Sequence, residues 1–279
     1  MILVTGSDGQ LGQELKEVLK PQKAIYGTRQ DCDITNFDIL EKIITQNKIE
    51  FIINCAAYTA VDQAESESEM AFLVNEKGPE NLSLLAKKHN VKLIHISTDY
   101  VFDGNFDQPI REDNPTAPIN IYGKSKLAGE QAILKSECAG AIIRTSWLYS
   151  RFGNNFVKSM IKHGKNKSEM NIVADQFGTP TSAKDLATSI VEIMPKLTEA
   201  KCEVFHFSNE GVASWYDFAC AIFEKMNIDC KVHPINTSEY PLAAKRPAYS
   251  ALNKGLIRSR FNLSIPSWKE SLENCLRSL

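Results

Sequence analysis

The sequence lacks the features that mark disulfide-stapled, zinc-binding and membrane-spanning proteins. Its seven cysteines are scattered, odd in number and never spaced as Cys-x-x-Cys, so we predict neither a disulfide framework nor a bound metal. No run of about 18 apolar residues occurs, which argues against a membrane span. No basic and apolar leader precedes the first apolar segment, so we expect no secretory signal and, with free thiols, a cytoplasmic location.

An excess of charge of one sign is also missing. The 32 basic and 34 acidic residues leave a net charge of −2, so neither nucleic acid nor an anionic membrane is an expected partner. A small anionic ligand stays compatible, because a pocket needs only a few local donors. The 279 residues, 43% hydrophobic and 24% charged, are ordinary for a globular protein with one large domain or two coupled ones.

What is present is a regular alternation of short β-branched apolar runs with amphipathic segments of helix length. This alternation predicts an α/β fold with a Rossmann-type, doubly wound parallel sheet. The predicted strands are Ile2–Thr5, Lys23–Gly27, Phe51–Cys55, Lys92–Ser97, Ala141–Thr145, Asn171–Ala174 and Val204–Phe207. The predicted helices are Leu11–Leu19, Phe37–Gln46, Glu67–His89, Tyr122–Ser136, Ala183–Met194 and Ser214–Met226.

Three glycines, Gly6, Gly9 and Gly12, stand between the first predicted strand and the first helix. Glycine permits a positive-φ turn and lets the backbone approach a pyrophosphate at a helix N-terminus. A tight turn without a ligand is the alternative. The position directly after an N-terminal buried strand favours dinucleotide binding.

The alternation loosens after Trp147, and the tail from Val232 contains several prolines and is predicted to be rich in loops. We therefore predict an NAD(P)-binding Rossmann domain in residues 1–150 that also receives residues 171–207. Residues 151–170 and 208–279 are predicted to form a smaller C-terminal substrate-binding lobe.

Thr28 and Arg29 end the second predicted strand, where an NAD-selective site has an acidic residue for the ribose 2′-hydroxyl. A hydroxyl and a guanidinium suit a 2′-phosphate instead, because arginine can hold it through two hydrogen bonds. This favours NADPH. Asp31 and Asp33 lie close by and keep NADH open as an alternative, and a solvated surface charge is the other interpretation of Arg29.

Tyr122 and Lys126 lie four residues apart on a predicted helix, so both can point into one cleft. A phenol has an ordinary pKa of about 10. A neighbouring ammonium and a positively charged nicotinamide stabilise the phenolate and suit the phenol to proton exchange with a carbonyl or alcohol oxygen. Such a pair is common by chance and is weak evidence by itself.

The Ser97-Thr98-Asp99 segment ends the fourth predicted strand, at the edge where open α/β sheets bind ligands. A hydroxyl there can donate a hydrogen bond to a substrate carbonyl. Such a segment alone is more often a helix or turn cap. The glycines, this segment and the Tyr-Lys pair in this order are together hard to explain by coincidence.

These motifs make the chain similar to the dTDP-4-dehydrorhamnose reductase family of extended short-chain dehydrogenases/reductases, over nearly its whole length. The glycines and the Tyr-x-x-x-Lys pair belong to the wider superfamily. Narrower segments of the resemblance lie at residues 55–62, 74–75, 97–104, 144–149, 154–157, 175–181 and 245–247.

The resemblance implies roles for individual residues. It implies that Gly9, Gln10 and Leu11 contact the pyrophosphate of the cofactor and that Asp33 and Ile34 lie beside its adenine. It implies that Ala56, Ala57 and Tyr58 line the inner ribose and the nicotinamide. It implies that Tyr122 donates a proton, that Lys126 holds the ribose hydroxyls and tunes Tyr122, and that Thr98 polarises the ketone. The residues implied to contact substrate are Thr98, Asp99, Tyr100, Trp147 and Arg246.

The activity implied by the resemblance is NADPH-dependent reduction of the 4-keto group of a nucleotide-linked keto-deoxysugar, giving dTDP-L-rhamnose. Similar proteins can use magnesium at a dimer contact. Glu14 matches one acidic position, but Lys184-Asp185 stands where a glutamate is expected, so no metal is carried over. The oligomeric state stays open, with a homodimer as one option.

Two alternatives remain. A nucleotide-sugar dehydratase or epimerase has the same fold, but dehydratases place a glutamate after the aspartate where this chain has Tyr100, and epimerases are usually longer. A non-catalytic regulatory subunit like that of methionine adenosyltransferase also resembles the family. The intact Thr98, Tyr122 and Lys126 favour catalysis.

The assignment of Arg29 can be tested by comparing the KM values for NADPH and NADH. Arg29→Ala should raise the KM for NADPH about tenfold or more relative to that for NADH, because a hydrogen bond to a charged group contributes about 1.5–3 kcal/mol. An unchanged ratio would remove Arg29 from binding of the 2′-phosphate.

Overall fold

The computed structural model describes residues 1–198 and 200–279. The strands are β1 Ile2–Thr5, β2 Ala24–Gly27, β3 Phe51–Asn54, β4 Lys92–Thr98, β5 Gly140–Thr145, β6 Leu148–Tyr149, β7 Glu169–Val173, β8 Phe177–Gly178, β9 Thr181–Ser182, β10 Cys202–His206, β11 Ala213–Ser214 and β12 Lys231–Ile235. The helices are α1 Gln10–Val18, α2 Phe37–Asn47, α3 Val61–Ala64, α4 Ser68–Phe72, α5 Gly78–His89, α6 Ile121–Ser136, α7 Phe156–Gly164, α8 Ala183–Ile193, α9 Trp215–Met226, α10 Gly255–Phe261 and α11 Trp268–Leu276. In these ranges no helix has the length and apolarity needed to cross a membrane.

Six strands form the central sheet in the order β10-β5-β4-β3-β1-β2. All of its neighbouring strands run parallel. The chain places β2 on one side of β1 and builds the rest of the sheet on the other, so the order reverses between β1 and β3. Ligands bind at such a reversal, outside the carboxyl ends of the strands. The predicted Rossmann-type, doubly wound parallel sheet is confirmed.

Both faces of the sheet are buried, as nearly continuous apolar strands require. Because side chains alternate along a strand, Ile2 and Val4 pack with α1, α8 and α10 on one face. Leu3 packs with α2, α5 and α6 on the other face. The two helical layers therefore hold the carboxyl edge of the sheet in a fixed position.

A separate hydrophobic cluster forms where α7, α9 and α11 pack beside the β7–β12 pair. Its aromatic centre contains Tyr149, Phe218 and Trp268, with ring centroids 5.5 Å apart for the first two and 5.8 Å for the last two. In contrast, β10 pairs with β5 and α8 packs on α1, so both belong to the central layers.

The predicted strands are all present, with ends within two residues of those expected. The tail from Val232 is rich in loops, as predicted, since residues 240–254 and 262–267 lie outside the helices and strands, but it also contains most of β12 and all of α10 and α11. Its prolines lie outside the helices, and Ser267 caps α11 directly after Pro266. Helix α7 was not predicted, although Asn155 accepts a hydrogen bond from Lys158 N and caps it.

The single helix predicted over residues 67–89 is instead divided into α4, a π-helical stretch Leu73–Lys77 and α5. Pro79 lies in the first turn of α5 and has no N–H to donate, so the regular i→i−4 hydrogen-bond pattern cannot continue through it. Local π-helical geometry is often found at functional sites, and Asn75 lies within this stretch.

A buried ion pair connects the sheet to α6. Arg144 on β5 donates to Glu130 on α6 through Nη2 at 2.7 Å and through Nε at 2.9 Å. Ser97 on β4 donates to the same carboxylate at 2.5 Å. The arginine and glutamate side chains are only 6% and 1% exposed. Each charge therefore depends on its partner, since water cannot replace it.

We expect Glu130→Gln to leave the Arg144 charge buried without a full counter-charge and to destabilise the fold by about 3–5 kcal/mol. Thermal unfolding should then begin roughly 6–15 °C lower for a chain of this size. Glu137→Gln, which breaks the exposed pair with Lys201, is the matched control and should leave the Tm nearly unchanged. Equal Tm values for the two variants would contradict a structural role for the buried pair.

Candidate active site

A cleft of about 830 Å³ opens along the carboxyl edge of the sheet. It extends from the loop between β1 and α1, past the ends of β3, β4 and β5, to the N-cap of α7. The predicted site residues that line it are Gly6, Gly9, Gln10, Leu11, Gly12, Arg29, Asp33, Ile34, Ala56, Ala57, Tyr58, Thr98, Asp99, Tyr122, Lys126 and Trp147. Three others, Thr28, Tyr100 and Arg246, are not part of the lining.

The glycine loop at one end of the cleft has the geometry of an anion site. Gly6 has φ +63°, and a Cβ there would lie 2.6 Å from the Ala56 backbone nitrogen. Helix α1 follows Gly9 with no side-chain cap and no acidic residue in its first turn. Its first N–H groups therefore lack a side-chain acceptor, and the helix dipole favours negative charge beside them. These features fit the pyrophosphate of a dinucleotide.

The two carboxylates in the turn after β2, those of Asp31 and Asp33, accept hydrogen bonds from residues of the same turn. Asp31 accepts from the backbone N of Thr28 at 2.5 Å and from its Oγ1 at 2.9 Å, and these hydrogen bonds lower the pKa of Asp31. Asp33 accepts from the backbone N and Oγ1 of Thr35, both at 2.9 Å. Arg29 forms no ion pair with any residue the structure describes and lines the cleft. The arrangement leaves the guanidinium open to a 2′-phosphate.

Asn75 holds the segment after β3 against α6. Its Oδ1 accepts from Tyr58 N at 2.8 Å, and its Nδ2 donates to Tyr58 O and to Ser125 Oγ, both at 3.0 Å. The side chain is buried, so these hydrogen bonds replace those it would make with water. The sequence predicted no individual role for Asn75. The nearby Gly78-Pro79 pair was the available signal for an interrupted helix.

Thr98, Tyr122 and Lys126 come together in the middle of the cleft. Thr98 ends β4, and the other two lie one turn apart on α6. Burial raises the pKa of the Tyr122 phenol to about 12, opposed by a hydrogen bond with Thr98. Burial also lowers the pKa of Lys126 to about 8, offset in part by Glu130. The phenol therefore holds its proton at neutral pH and can act as a donor.

Asp99 follows Thr98 and presents a carboxylate to the cleft. Thr98 Oγ1 donates to its Oδ1 at 3.0 Å. Burial raises the pKa of Asp99 to about 6, and hydrogen bonds with Ser250 and Thr98 oppose this rise. The cleft lining therefore contains a carboxyl group of raised pKa directly beside Thr98.

Two tryptophans form one wall of the cleft. Trp147 has φ +47°, an unfavourable conformation for a bulky residue. Its ring stacks on Trp215 with centroids 3.5 Å apart and planes 7° apart. Trp215 also lines the cleft but was missed from the sequence, where it looks like an ordinary first helical residue. Backbone strain of this kind is typical of functional sites.

Tyr100 and Arg246 support the site from behind its lining. The Tyr100 ring packs edge-on against Tyr122, with centroids 5.7 Å apart. Arg246 pairs with Asp62 on α3 at 2.6 Å and donates to Ala244 O at 3.0 Å. Arg246 also hydrogen-bonds Tyr100, so the two residues together connect the C-terminal segment to the neighbourhood of Tyr122. Their contact with substrate stays a prediction.

The Trp147–Trp215 stack requires a glycine at position 178. A Cβ at Gly178 would lie 2.7 Å from Trp147 Cε2, so Gly178→Ala should displace the indole and weaken the exciton couplet of the stacked rings in far-ultraviolet circular dichroism. Trp268→Phe is the control, because Trp268 packs on Phe218 instead and its loss should keep the couplet. A couplet that survives Gly178→Ala would show that the stack does not depend on this close approach.

A family model and known proteins both match this chain over nearly its full length. The family model described as RmlD substrate binding domain matches residues 1–279. A protein of Aggregatibacter actinomycetemcomitans named dTDP-4-dehydrorhamnose reductase is 40% identical, over 98% of this chain and 97% of its own.

Two solved structures are also similar to the chain. A dTDP-4-dehydrorhamnose reductase of Clostridium acetobutylicum has a TM-score of 0.96 and 42% identity, covering 99% of this chain and 98% of its own. The Bacillus anthracis enzyme of the same name, in complex with NADP, has a TM-score of 0.95 and 40% identity, covering 100% and 99%.

Proposed function

The chain belongs to the dTDP-4-dehydrorhamnose reductase family, which the RmlD substrate binding domain model describes, and we propose on this basis that it reduces dTDP-4-dehydro-6-deoxy-L-mannose to dTDP-L-rhamnose with NADPH. The observation that carries the proposal is the convergence of Thr98, Tyr122 and Lys126 in one cleft with a glycine loop suited to a dinucleotide. A non-catalytic regulatory subunit would not need these three side chains to converge.

Several residues are suited to hold the cofactor. NADPH, when bound, supplies a hydride from nicotinamide C4. We assign its pyrophosphate to the backbone of Gly9, Gln10 and Leu11, because the N-terminus of α1 has no side-chain cap. Arg29 meets the 2′-phosphate, since both nearby carboxylates are occupied within their own turn. NADH can also be used, because NADH and NADPH share the pyrophosphate and differ only at the 2′-position of the adenosine ribose.

Other residues of the cofactor set complete the pocket. We assign the adenine to Asp33 and Ile34, and the inner ribose and nicotinamide to the segment from Ala56 to Tyr58. Asn75 supports this second segment through its two hydrogen bonds with the Tyr58 backbone. The same side chain reaches Ser125 on α6, so the cofactor pocket and the catalytic helix move together.

The chain's own residues manage the proton. As the ketone carbon gains a hydride, its oxygen gains the Tyr122 phenolic proton, and the carbonyl becomes a secondary alcohol. With the ketone bound, the Thr98 hydroxyl turns its single hydrogen from Asp99 Oδ1 to the same oxygen and stabilises its developing negative charge. Lys126 in its ammonium form stabilises the phenolate left behind and contacts the ribose hydroxyls. Preorganisation of these groups limits the cost of orienting the reactants.

The substrate lies on the other side of Thr98. The flat face of Trp147 packs against the pyranose, and the Asp99 carboxyl, which lines the cleft next to Thr98, is assigned to a sugar hydroxyl. We retain Tyr100 and Arg246 as contacts of the nucleotide sugar, supported by the packing of Tyr100 on Tyr122. Arg246 is only 17% exposed and paired with Asp62, so this contact requires the pair to be shared or broken.

The division of the chain into lobes remains part of the proposal. Residues 1–150 and 171–207 form the cofactor-binding part, supported by the place of β10 and α8 in the central layers. The end of β7 is the exception, because it pairs with β12 beside the second cluster. Residues 151–170 and 208–279 form the substrate-binding part, supported by the separate cluster around Phe218 and Trp268.

Location and partners are proposed on physical grounds. The seven free cysteines support a cytoplasmic location, and the net charge of −2 gives no support to a nucleic-acid partner. A homodimer is also part of the proposal.

The proposed function is tested by following NADPH oxidation with dTDP-4-dehydro-6-deoxy-L-mannose. Tyr122→Phe should lower kcat by about 10²–10⁴-fold, the usual contribution of a positioned proton donor. Tyr216→Phe, a change to a tyrosine outside the cleft lining, is the matched control and should retain full activity. Absence of turnover in the unaltered chain would overturn the function, and full activity of Tyr122→Phe would overturn the mechanism.

A further inference from the structure

Lys126 contacts a buried histidine that the proposed mechanism does not use. The amine donates to Ile96 O at 2.7 Å, and its Nζ also lies 3.3 Å from His95 Nε2. His95 is fully buried on β4. Burial and the nearby Lys126 charge lower its pKa well below the ordinary value, so the imidazole is neutral and has one N–H.

Asn54 determines which ring nitrogen of His95 has this hydrogen. The Asn54 Oδ1 accepts from Thr5 Oγ1 at 2.6 Å and from Ala56 N at 3.1 Å. A backbone N–H can only donate, so the amide oxygen must be on that side. The amide nitrogen therefore faces His95 Nδ1, at 2.9 Å, and donates to it. The hydrogen of the neutral ring is consequently on Nε2.

This tautomer presents an N–H to the Lys126 amine. An ammonium has three donors and no acceptor, whereas a neutral amine has a lone pair that can accept from Nε2–H. The contact therefore favours the neutral amine. It acts in the same direction as burial, which lowers the pKa of Lys126 to about 8.

The other groups near Lys126 do not provide this effect. Besides His95, the groups that act on the charge of Lys126 are Glu130 on the same helix and Cys55 after β3. Tyr122 and Asp99 line the same cleft, and Arg144 pairs with Glu130. Burial raises the pKa of Cys55 to about 12, so the thiol is neutral like the Tyr122 phenol. Glu130 favours the ammonium and thus opposes His95.

We propose that His95 is a positioning residue of the reaction, an inference that rests on the proposed reductase function. Its Nε2–H, oriented by Asn54 and Thr5, faces the Lys126 amine. This N–H sets how readily the amine loses and regains its proton beside Tyr122. The segment that orients His95 is the one that lines the cofactor pocket, because Asn54 also binds Ala56 N. Lys126 thereby keeps a proton that can be lost near working pH, instead of being a permanent cation.

The tautomer is tested first, without turnover, on the full chain with ¹⁵N-labelled histidine. We expect the His95 ring, assigned by loss of its signals in His95→Asn, to show the Nε2–H pattern and no titration between about pH 6 and about pH 9. An Nδ1–H pattern or a titrating ring would overturn the proposal. This measurement decides the orientation of His95 even if the proposed substrate is wrong.

The effect on Lys126 is tested by the upper limb of the pH profile of kcat/KM, where loss of the ammonium lowers activity. His95→Asn retains an acceptor for Asn54 and removes the Nε2–H, so the limb should move up by about half to one pH unit, the equivalent of one hydrogen bond. His95→Gln can place an acceptor beside the amine and should move the limb at least as far. A limb unchanged in both variants, or moved down, would overturn the proposal.

His206→Asn is the matched control. His206 is a second fully buried histidine of the same sheet, but its ring contacts Ile110 O and Arg144 and not Lys126. His206→Asn should lower the Tm without moving the upper limb of the pH profile of kcat/KM. If this variant moved the limb as far as His95→Asn does, the His95 effect would reflect destabilisation of the core, and the proposal would be overturned. A ¹³C titration of the Lys126 Cε in the same variants gives the shift directly, so a failed substrate assignment cannot be mistaken for a failed His95 assignment.

Discussion

The attachment of α6 to the sheet through the buried Glu130 carboxylate is the constraint on which the site depends. Tyr122, Lys126 and Glu130 are spaced four residues apart, so all three lie on one face of the helix. Arg144 and Ser97 bind the carboxylate from two adjacent strands. This fixes both the rotation of α6 about its axis and its height along the sheet. The phenol and the amine then reach the carboxyl edge where Thr98 ends β4.

Close packing around α6 makes this placement accurate. A methyl group at Gly129 would overlap the Asn75 carbonyl oxygen, so the helix can approach the π-helical stretch only because that residue is glycine. Asn75 in turn holds the Tyr58 segment. A single packing arrangement therefore connects the cofactor pocket, the catalytic helix and the sheet. Functional groups need this kind of support from neighbouring side chains to keep a productive geometry.

Burial has opposite effects on the two titratable groups of the catalytic set. It keeps the proton on Tyr122 and weakens the hold of Lys126 on its proton, since a low-dielectric environment disfavours the charged form of each. Glu130 and His95 act on Lys126 in opposite senses, one through its charge and the other through an N–H. Burial is the main cause of the lowered pKa, and Glu130 opposes it, so the buried lysine can change charge at about pH 8.

Local patterns in the amino-acid sequence were enough to determine the alternating strands and helices, the parallel sheet, the glycine loop and the spacing of Tyr122 and Lys126, because each depends on residues close together in the chain. The same patterns missed the helices α10 and α11 in the loop-rich tail, where Pro266 directly precedes the cap of α11. Only the tertiary structure decided that Asp31 is occupied by Thr28, that Trp215 stacks on Trp147, and that Asn54 orients His95 towards Lys126. The last two contacts join residues far apart in the chain, and hydrogen-bond direction in a buried site depends on every neighbouring donor and acceptor at once. The Asp31–Thr28 contact spans only three residues, but it depends on how the turn after β2 is folded.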